Sequence, residues 1–456
     1  MTKPPRHFWL YPLSGSFIFI SLLTITFMWS SRGDWIYPEQ LEHSTTIDYG
    51  NIIGQSFVAR QAGLQGVGIR LHYLSQPVSQ TLILKLYTDS KATTPLREAI
   101  ATTENITEAQ HIYFKFTPLP DSQHQYYYLT VQNTSSPPQV ILFAAPLATY
   151  INGAAYIDGQ PQDLQLSFHL NYHRPTMISH FLARLFFSLP TTFLILMYLI
   201  IPGSVLLLWL KPPLEFDPFE WLALAIGLSL ACYPLIILIF HFTPIQLSAR
   251  IIGLVFTGLT LLFLYQLQHA YKSAQIIALH FFAKPTSITF LAILALSLAV
   301  RLYVIDGLPA PLWADSYHHT MITQLIVDNG GLGYNWLPYA PMQSIDYHFG
   351  FHAMTAFFHW LTGIEVIFSV LLLAQILNTC AVLMIYLLGK QLGGQAWVGV
   401  WASLIVGLLA QYPMFYVNWG RFTQLAGEVL LPITLVLTWQ LLNQPQSHKS
   451  LILFNA

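Results

Sequence analysis

The sequence predicts a polytopic α-helical membrane protein of about eight transmembrane helices, with an extracytoplasmic all-β sandwich domain. Three observations predict it. Of the 456 residues 54% are hydrophobic and 9% charged, and the mean hydropathy is +0.52. A soluble globular chain carries roughly 25% charge, so a soluble enzyme is excluded as the whole molecule. Nineteen of the 39 charged residues fall within 31–176, which marks a polar domain inside an apolar chain. Eight apolar runs approach the roughly 20 residues that a helix needs to cross the hydrocarbon.

The balance of charge narrows the partners. The formal net charge is -1, with no basic footprint for nucleic acid. The two cysteines, Cys232 and Cys380, lie in apolar runs, so no disulfide framework is expected. Aromatic residues make up 14%, which suits interfacial belts.

Lys3 and Arg6 precede the first run, 14–30. It is read as an uncleaved anchor; a signal peptide is the rival, but no small-x-small cleavage site follows. Residues 1–31 are thus a cytoplasmic tail and first helix, and 32–176 the β domain. Four spans are expected near 185–209, 219–240, 251–268 and 285–303, within a segment 177–303. An outer loop with juxtamembrane helices covers 304–365. Three spans near 366–389, 396–413 and 425–443 complete a segment 366–456. With a cytoplasmic N-terminus, Lys3, Arg6, Lys211, Lys272, Lys284, Lys390 and Lys449 all fall inside, as the positive-inside rule asks. The C-terminus is then cytoplasmic too, and Arg250, Arg301 and Arg421 fall at outer ends.

Within the polar domain the segments 55–59, 66–74, 81–89, 111–116, 125–132, 139–145 and 164–172 read as strands separated by turn clusters such as LPDSQ and NTSSPP. Short, regular strands without a helical period predict a β-sandwich. Tyr126, Tyr127 and Tyr128 cannot all face one side, because strand side chains alternate. Asn105 and Asn133 stand in short glycosylation-type sequons. The strand spacing and the stretch FTPLPDSQHQYYYLTV resemble the jelly-roll-like, carbohydrate-binding-type domains fused to bacterial membrane proteins. A spacer or docking domain without a ligand is the plainer reading.

The most informative stretch is 301–363. Asp315 follows a Pro-rich turn and is expected to open a helix as its N-cap. Tyr317, His318 and His319 follow, and the histidines share the Asp315 face at helical spacing. Asp346, His348 and His352 form a second set, with the two histidines four apart. Carboxylate and imidazole at such spacing can hold a divalent metal ion or a phosphate. The plainer readings are a capping aspartate and interfacial or packed histidines. Farther on, Asn418, Arg421, Gln424 and Glu428 lie in YVNWGRFTQLAGEVLL, the last three on one helical face. Arg421 paired with Glu428 or Gln424 is one reading. The other has Arg421 gripping a phosphate while Asn418 and Gln424 hold sugar hydroxyls.

The ordered set RLY, WADSYHH, YHFGFHAMTAFFHWLTG and YLLGKQLGG, over about 285–443, resembles the GT-C superfamily of membrane glycosyltransferases, especially users of polyprenyl-phosphate sugars. Carried over by position, Asp315 matches that family's catalytic acid; the family often has two acids together, where Ser316 follows here. The chain stops at LILFNA as another apolar run begins, which reads as a fragment or a shortened member.

The resemblance implies an inverting sugar transfer on the extracytoplasmic face, in a bacterial plasma membrane. The donor is lipid-linked and the acceptor a glycan, lipid or protein. Asp315 is the implied base, and Arg421, helped by Arg301, the implied grip on the leaving phosphate. The rival class is a non-catalytic glycan-binding or assembly protein. A transporter would predict internal repeats, and none is visible.

Overall fold

The computed structural model describes residues 33–36, 43–47, 52–71, 80–103, 110–134, 140–146, 152–210, 216–333, 335–343 and 347–443. The expected first span, 14–30, together with Asn105, Asp346 and Lys449, lies outside them. The described residues form two compact units, one within 33–186 and one within 187–443.

In the first unit thirteen described strands, β1 (Gly33–Ile36) through β13 (Phe168–Tyr172), form two sheets. In chain order the others are β2 (His43–Ile47), β3 (Ile52–Val58), β4 (Leu64–Leu71), β5 (Gln80–Tyr87), β6 (Arg97–Thr103), β7 (Gln110–Leu119), β8 (Tyr126–Asn133), β9 (Val140–Pro146), β10 (Ala155–Ile157), β11 (Gln160–Gln162) and β12 (Leu164–Leu166). One sheet runs β1-β13-β4-β9-β12, with β2 on β9 and β7 on β4; the other runs β11-β10-β3-β8-β5-β6. Strict alternation makes the sandwich-like core. Leu82, Leu84 and Leu86 of β5 are buried, while Thr81, Ile83, Lys85 and Tyr87 between them are half-exposed. The Phe57 ring of one sheet meets Phe168 of the other at 5.8 Å between centroids. Each such buried side chain contributes about 1.5–3 kcal/mol. The Gln55 amide, buried between the sheets, donates to Gln165 at 2.6 Å and so is satisfied.

Two sequence readings are refined. The run 164–172 is two strands: β12 pairs with β9, and β13 pairs with β4 and β1. Asn133 is buried and donates to Gln80 Oε1 at 2.9 Å, so it is no exposed glycan acceptor. The unit also extends past 176 through α1 (Arg174–Phe187). His173 Nδ1 lies 2.8 Å from Thr176 Oγ1 at the start of α1, and Arg184 reaches Gln123 Oε1 at 2.7 Å.

In the second unit seven described helical segments are long and apolar enough to cross a membrane. They are α2 (Leu189–Leu210), α3 (Pro218–His241), the Ala249–Gln268 part of α4 (Ala249–Phe282), α5 (Pro285–Ile305), α8 (Val366–Gly393), the broken stretch Ala396–Val417, and the Phe422–Gln440 part of α10 (Phe422–Asn443). Between α5 and α8 stand two shorter helices, α6 (Ala314–Asn329) and α7 (Gly350–Thr362). The chain is thus an integral membrane protein by the length and composition of its helices.

Helix α8 is the axis of this unit, with 83% of its span buried, against 11% for α4. Helix α7 is short but almost wholly buried, including Phe351, His352, Phe357 and Phe358. The Tyr198 hydroxyl of α2 donates to the Met354 carbonyl at 2.9 Å, and the Tyr198 ring stacks on Tyr233 of α3 at 4.5 Å.

The predicted span 396–413 is not one regular helix. Helix α9 (Ala396–Leu404) passes into a wider π-helical turn at Ile405–Leu409, and the chain then runs extended at Ala410. Non-helical backbone at membrane depth survives only where protein satisfies it. Arg301 does so here. Its Nη1 donates to the Gly407 and Ser297 carbonyls at 3.1 Å each, and its Nε to Asn378 Oδ1 at 2.6 Å. Asn378 in turn donates to the Pro413 carbonyl at 3.0 Å.

Candidate functional site

The candidate site gathers where α5 ends, α8 begins and α10 begins. The link after α5 turns at Gly307 (φ 81°) and again at Trp313 (φ 74°, ψ 152°). The second conformation is one that a side chain rarely adopts, at a cost of about 1–3 kcal/mol. It delivers the chain into α6.

Here one expectation is corrected. Trp313, not Asp315, is the N-cap residue, and no side chain caps the helix. The strained Trp313 starts α6 two residues earlier, so Asp315 lies inside the first turn. There its charge still meets the positive end of the helix.

Beside Asp315 the chain before α10 comes close. Gly420 has φ 68°, and a Cβ placed on it would lie 3.1 Å from the Asp315 Cβ and 3.0 Å from Ser316 Oγ. A side chain at 420 is therefore opposed both by space and by backbone angle. This contact brings the segment of Arg421 against the first turn of α6, joining two sequence motifs 100 residues apart.

Two histidines sit beneath. His319 is 3% exposed and His352 0%. His319 Nδ1 and His352 Nε2 are 3.0 Å apart. Burial pushes His319 down to about 4, against a smaller upward pull from the Gly420 backbone and the Asp315 charge. Burial pushes His352 well below the usual histidine range. Both are therefore neutral at pH 7, and one ring donates to the other. His352 Nδ1 makes no hydrogen bond of good geometry; only the His348 backbone lies near it. Tyr347 stacks on His348 at 3.9 Å and stands 5.8 Å from the His352 ring. Phe422 covers His319 at 5.5 Å.

The remaining expected residues divide. His318 and His348 are exposed at the rim, and their charges act on His319. Among the described residues no three His, Cys, Asp or Glu form a metal-holding group. Arg421 is exposed, its guanidinium 5.0 Å from the Trp419 ring centroid. It makes no ion pair with a described carboxylate, so the expected Arg421–Glu428 pair is absent. Gln424 instead donates to the Tyr416 hydroxyl at 3.0 Å and to Glu428 at 3.3 Å. Asn418 is exposed on the same segment. Arg301 is 2% exposed and holds Asn378 and two backbone carbonyls through Nε and Nη1; its buried Nη2 has no partner among the described residues, so it acts as a strut with no exposed face for a phosphate. Tyr317 turns to the other face of α6, where it lines a cavity of about 590 Å³.

A second polar cluster escaped sequence reasoning. Lys390 Nζ lies 2.7 Å from Asp217 and 2.6 Å from Glu220, which is fully buried. The Tyr386 hydroxyl donates to Asp217 at 2.9 Å and the Gln391 amide to Glu220 at 2.6 Å. Asp217 also caps α3 in a reciprocal capping box with Glu220. The D-P-F-E pattern is the signal that could have revealed it. The motif YLLGKQLGG therefore fastens α8 to α3.

In the β unit Tyr127 points into the core against Phe57 at 5.9 Å, as alternation requires. Tyr128 packs with Tyr156 and Tyr87 at 5.0 and 6.3 Å on the outward face, and Tyr126 is 42% exposed. The Tyr128 hydroxyl would lie 2.2 Å from a Cβ on Gly54, so the bare glycine lets that ring lie flat on the sheet.

No known family model and no curated protein matches this chain.

Proposed function

We propose that the protein transfers a sugar from a polyprenyl-phosphate carrier to an acceptor hydroxyl on the extracytoplasmic face of a bacterial plasma membrane, with inversion. One observation carries the reading: the Asp315 turn of α6 and the Gly420–Arg421 turn before α10 pack so closely that a Cβ on Gly420 would lie 3.1 Å from the Asp315 Cβ. A carboxylate and a guanidinium that form no ion pair among the described residues thus stand on adjoining turns.

In the reaction Asp315 takes the proton of the acceptor hydroxyl. The hydroxyl oxygen bonds to the anomeric carbon, and the bond from that carbon to the phosphate oxygen breaks. The electron pair leaves with the lipid phosphate, which Arg421 neutralises through charge-assisted hydrogen bonds. Asn418, Gln424 and Glu428, on the same segment, hold sugar hydroxyls. Arg301 does not touch the donor in this account; it braces the broken stretch that leads to Arg421. The neutral His319–His352 pair is a positioning element between the two turns. Nucleic acid has no place in this reading.

The test is transfer from synthetic polyprenyl-phosphate hexose donors by the full-length protein in lipid. Asp315→Asn is expected to lower the rate by about 10²–10⁴-fold while the fold persists. Full rate in that variant would sink the base assignment.

The tyrosine cluster of the β unit favours a second reading, non-catalytic glycan binding. Under it, glycan affinity would fall in Tyr126→Ala, and no donor would turn over.

A further inference from the structure

The face of α6 turned away from His319 borders the cavity of about 590 Å³, within the usual range for small-ligand sites. Tyr317 and Tyr339 line it with rings 67% and 48% exposed, alongside Met321, Gln324, His359 and Glu365. The lining offers several hydrogen-bond acceptors and a few donors, among them the exposed Tyr317 hydroxyl. The Gln324 amide donates to Asp328 at 2.7 Å, and the Tyr339 hydroxyl donates to the same carboxylate at 2.7 Å. The Tyr339 hydroxyl is left with acceptor lone pairs, and the Gln324 amide keeps its carbonyl oxygen and one N–H. His359 Nδ1 lies 2.7 Å from the Ile364 carbonyl. A carbonyl only accepts, so the proton sits on Nδ1 and Nε2 keeps its lone pair. Glu365, exposed at the start of α8, is acceptor-only when ionised. No lysine or arginine lines the cavity.

Acceptors beside the Tyr317 hydroxyl and the remaining Gln324 N–H suit a ligand whose groups both donate and accept. A carboxylate without a cation beside it opposes a phosphate. Tyrosine rings favour a flat C–H face. We propose that this cavity binds a neutral pyranoside, whose hydroxyls donate to His359, Glu365 and Gln324 while a ring face rests on Tyr317 or Tyr339. Its role as the acceptor subsite rests on the transferase reading; the binding itself does not. Ser316, which lines the cavity and lies beside Gly420, marks the edge where an acceptor seated here comes within reach of Asp315.

Saturation-transfer NMR on the full-length protein in nanodiscs tests this, with methyl glucoside, methyl mannoside and methyl galactoside as probes and choline as an ammonium comparison. At least one glycoside receives saturation, strongest on the protons of one ring face. The signal falls to background in Glu365→Gln and in Tyr317→Ala. Both changes are mild, since one is isosteric and the other alters an exposed ring. The proposal is overturned if no glycoside is saturated, if only choline is, or if the signal survives in the double variant. Glycoside binding without any transfer would overturn the transferase reading alone. Transfer without glycoside binding would overturn the cavity alone.

Discussion

The two polar clusters at opposite ends of α8 are built by opposite rules. Around Lys390 every charged atom is spent. Its ammonium meets Asp217 and Glu220 within 2.7 Å, and Tyr386 and Gln391 fill the remaining lone pairs. Around Asp315 and Arg421 no ion pair closes, although the two turns touch. A saturated network holds helices together and has nothing left to offer a substrate. Unspent charge beside a neutral, buried histidine pair is what a reacting group needs. The difference shows that a motif's position is a poor guide to its role: YLLGKQLGG belongs to the saturated cluster, WADSYHH to the open one.

The comparison breaks most visibly at Lys390. Lys390→Met leaves the fully buried Glu220 without its cation, and stability in detergent is expected to fall by about 3–5 kcal/mol. Chemical unfolding measures it; an unchanged midpoint would make the cluster ornamental. Arg301→Met comes next. It removes the donor to the Gly407 carbonyl and to Asn378 Oδ1, each worth about 1–3 kcal/mol when buried unpaired. Thermal unfolding together with protease sensitivity near 405–417 reports it, and a wild-type profile would contradict the strut.

The histidine pair sharpens the comparison through pH. His319 sits at about 4 in the folded chain, against 6.5 for an ordinary histidine. Below 6.5 the unfolded chain binds the proton more readily than the folded one, so stability falls as pH drops from 6.5 towards 4. Above 6.5 this contribution is fully present and flat. His319→Gln is expected to reduce the slope in that window, to which His352 and His169 also contribute, as followed by melting temperature. An unaltered slope would remove His319 as one source. The smallest effect belongs to Arg421. Arg421→Ala forfeits only an exposed cation–π contact, roughly 0.5–1 kcal/mol, so unfolding should barely move while donor binding is lost.

Much of this was legible in the sequence. Seven expected spans recur within a few residues, because unbroken apolar length is a local property. Tyr127 turned inward as strand alternation requires, whereas the meeting of His319 with His352 is a tertiary contact that their separate motifs did not announce. What stayed hidden depends on tertiary contact. β6, REAIATT, carries Ala, Thr and Glu instead of an apolar alternation, and is a strand because it pairs with β5. Arg301 looked like an outer cation, since composition does not say that a broken helix will claim its guanidinium. The capping role given to Asp315 passed to Trp313 because of a backbone angle that no residue type announces.

The most direct measurement is native mass spectrometry of the purified protein from lipid, searching for a copurifying polyprenyl-phosphate sugar, with Arg421→Ala and Lys390→Met in parallel. The account predicts a carrier on the wild type that is lost from Arg421→Ala and retained by whatever fraction of Lys390→Met stays folded. No carrier on the wild type, or a carrier undiminished in Arg421→Ala, would contradict it.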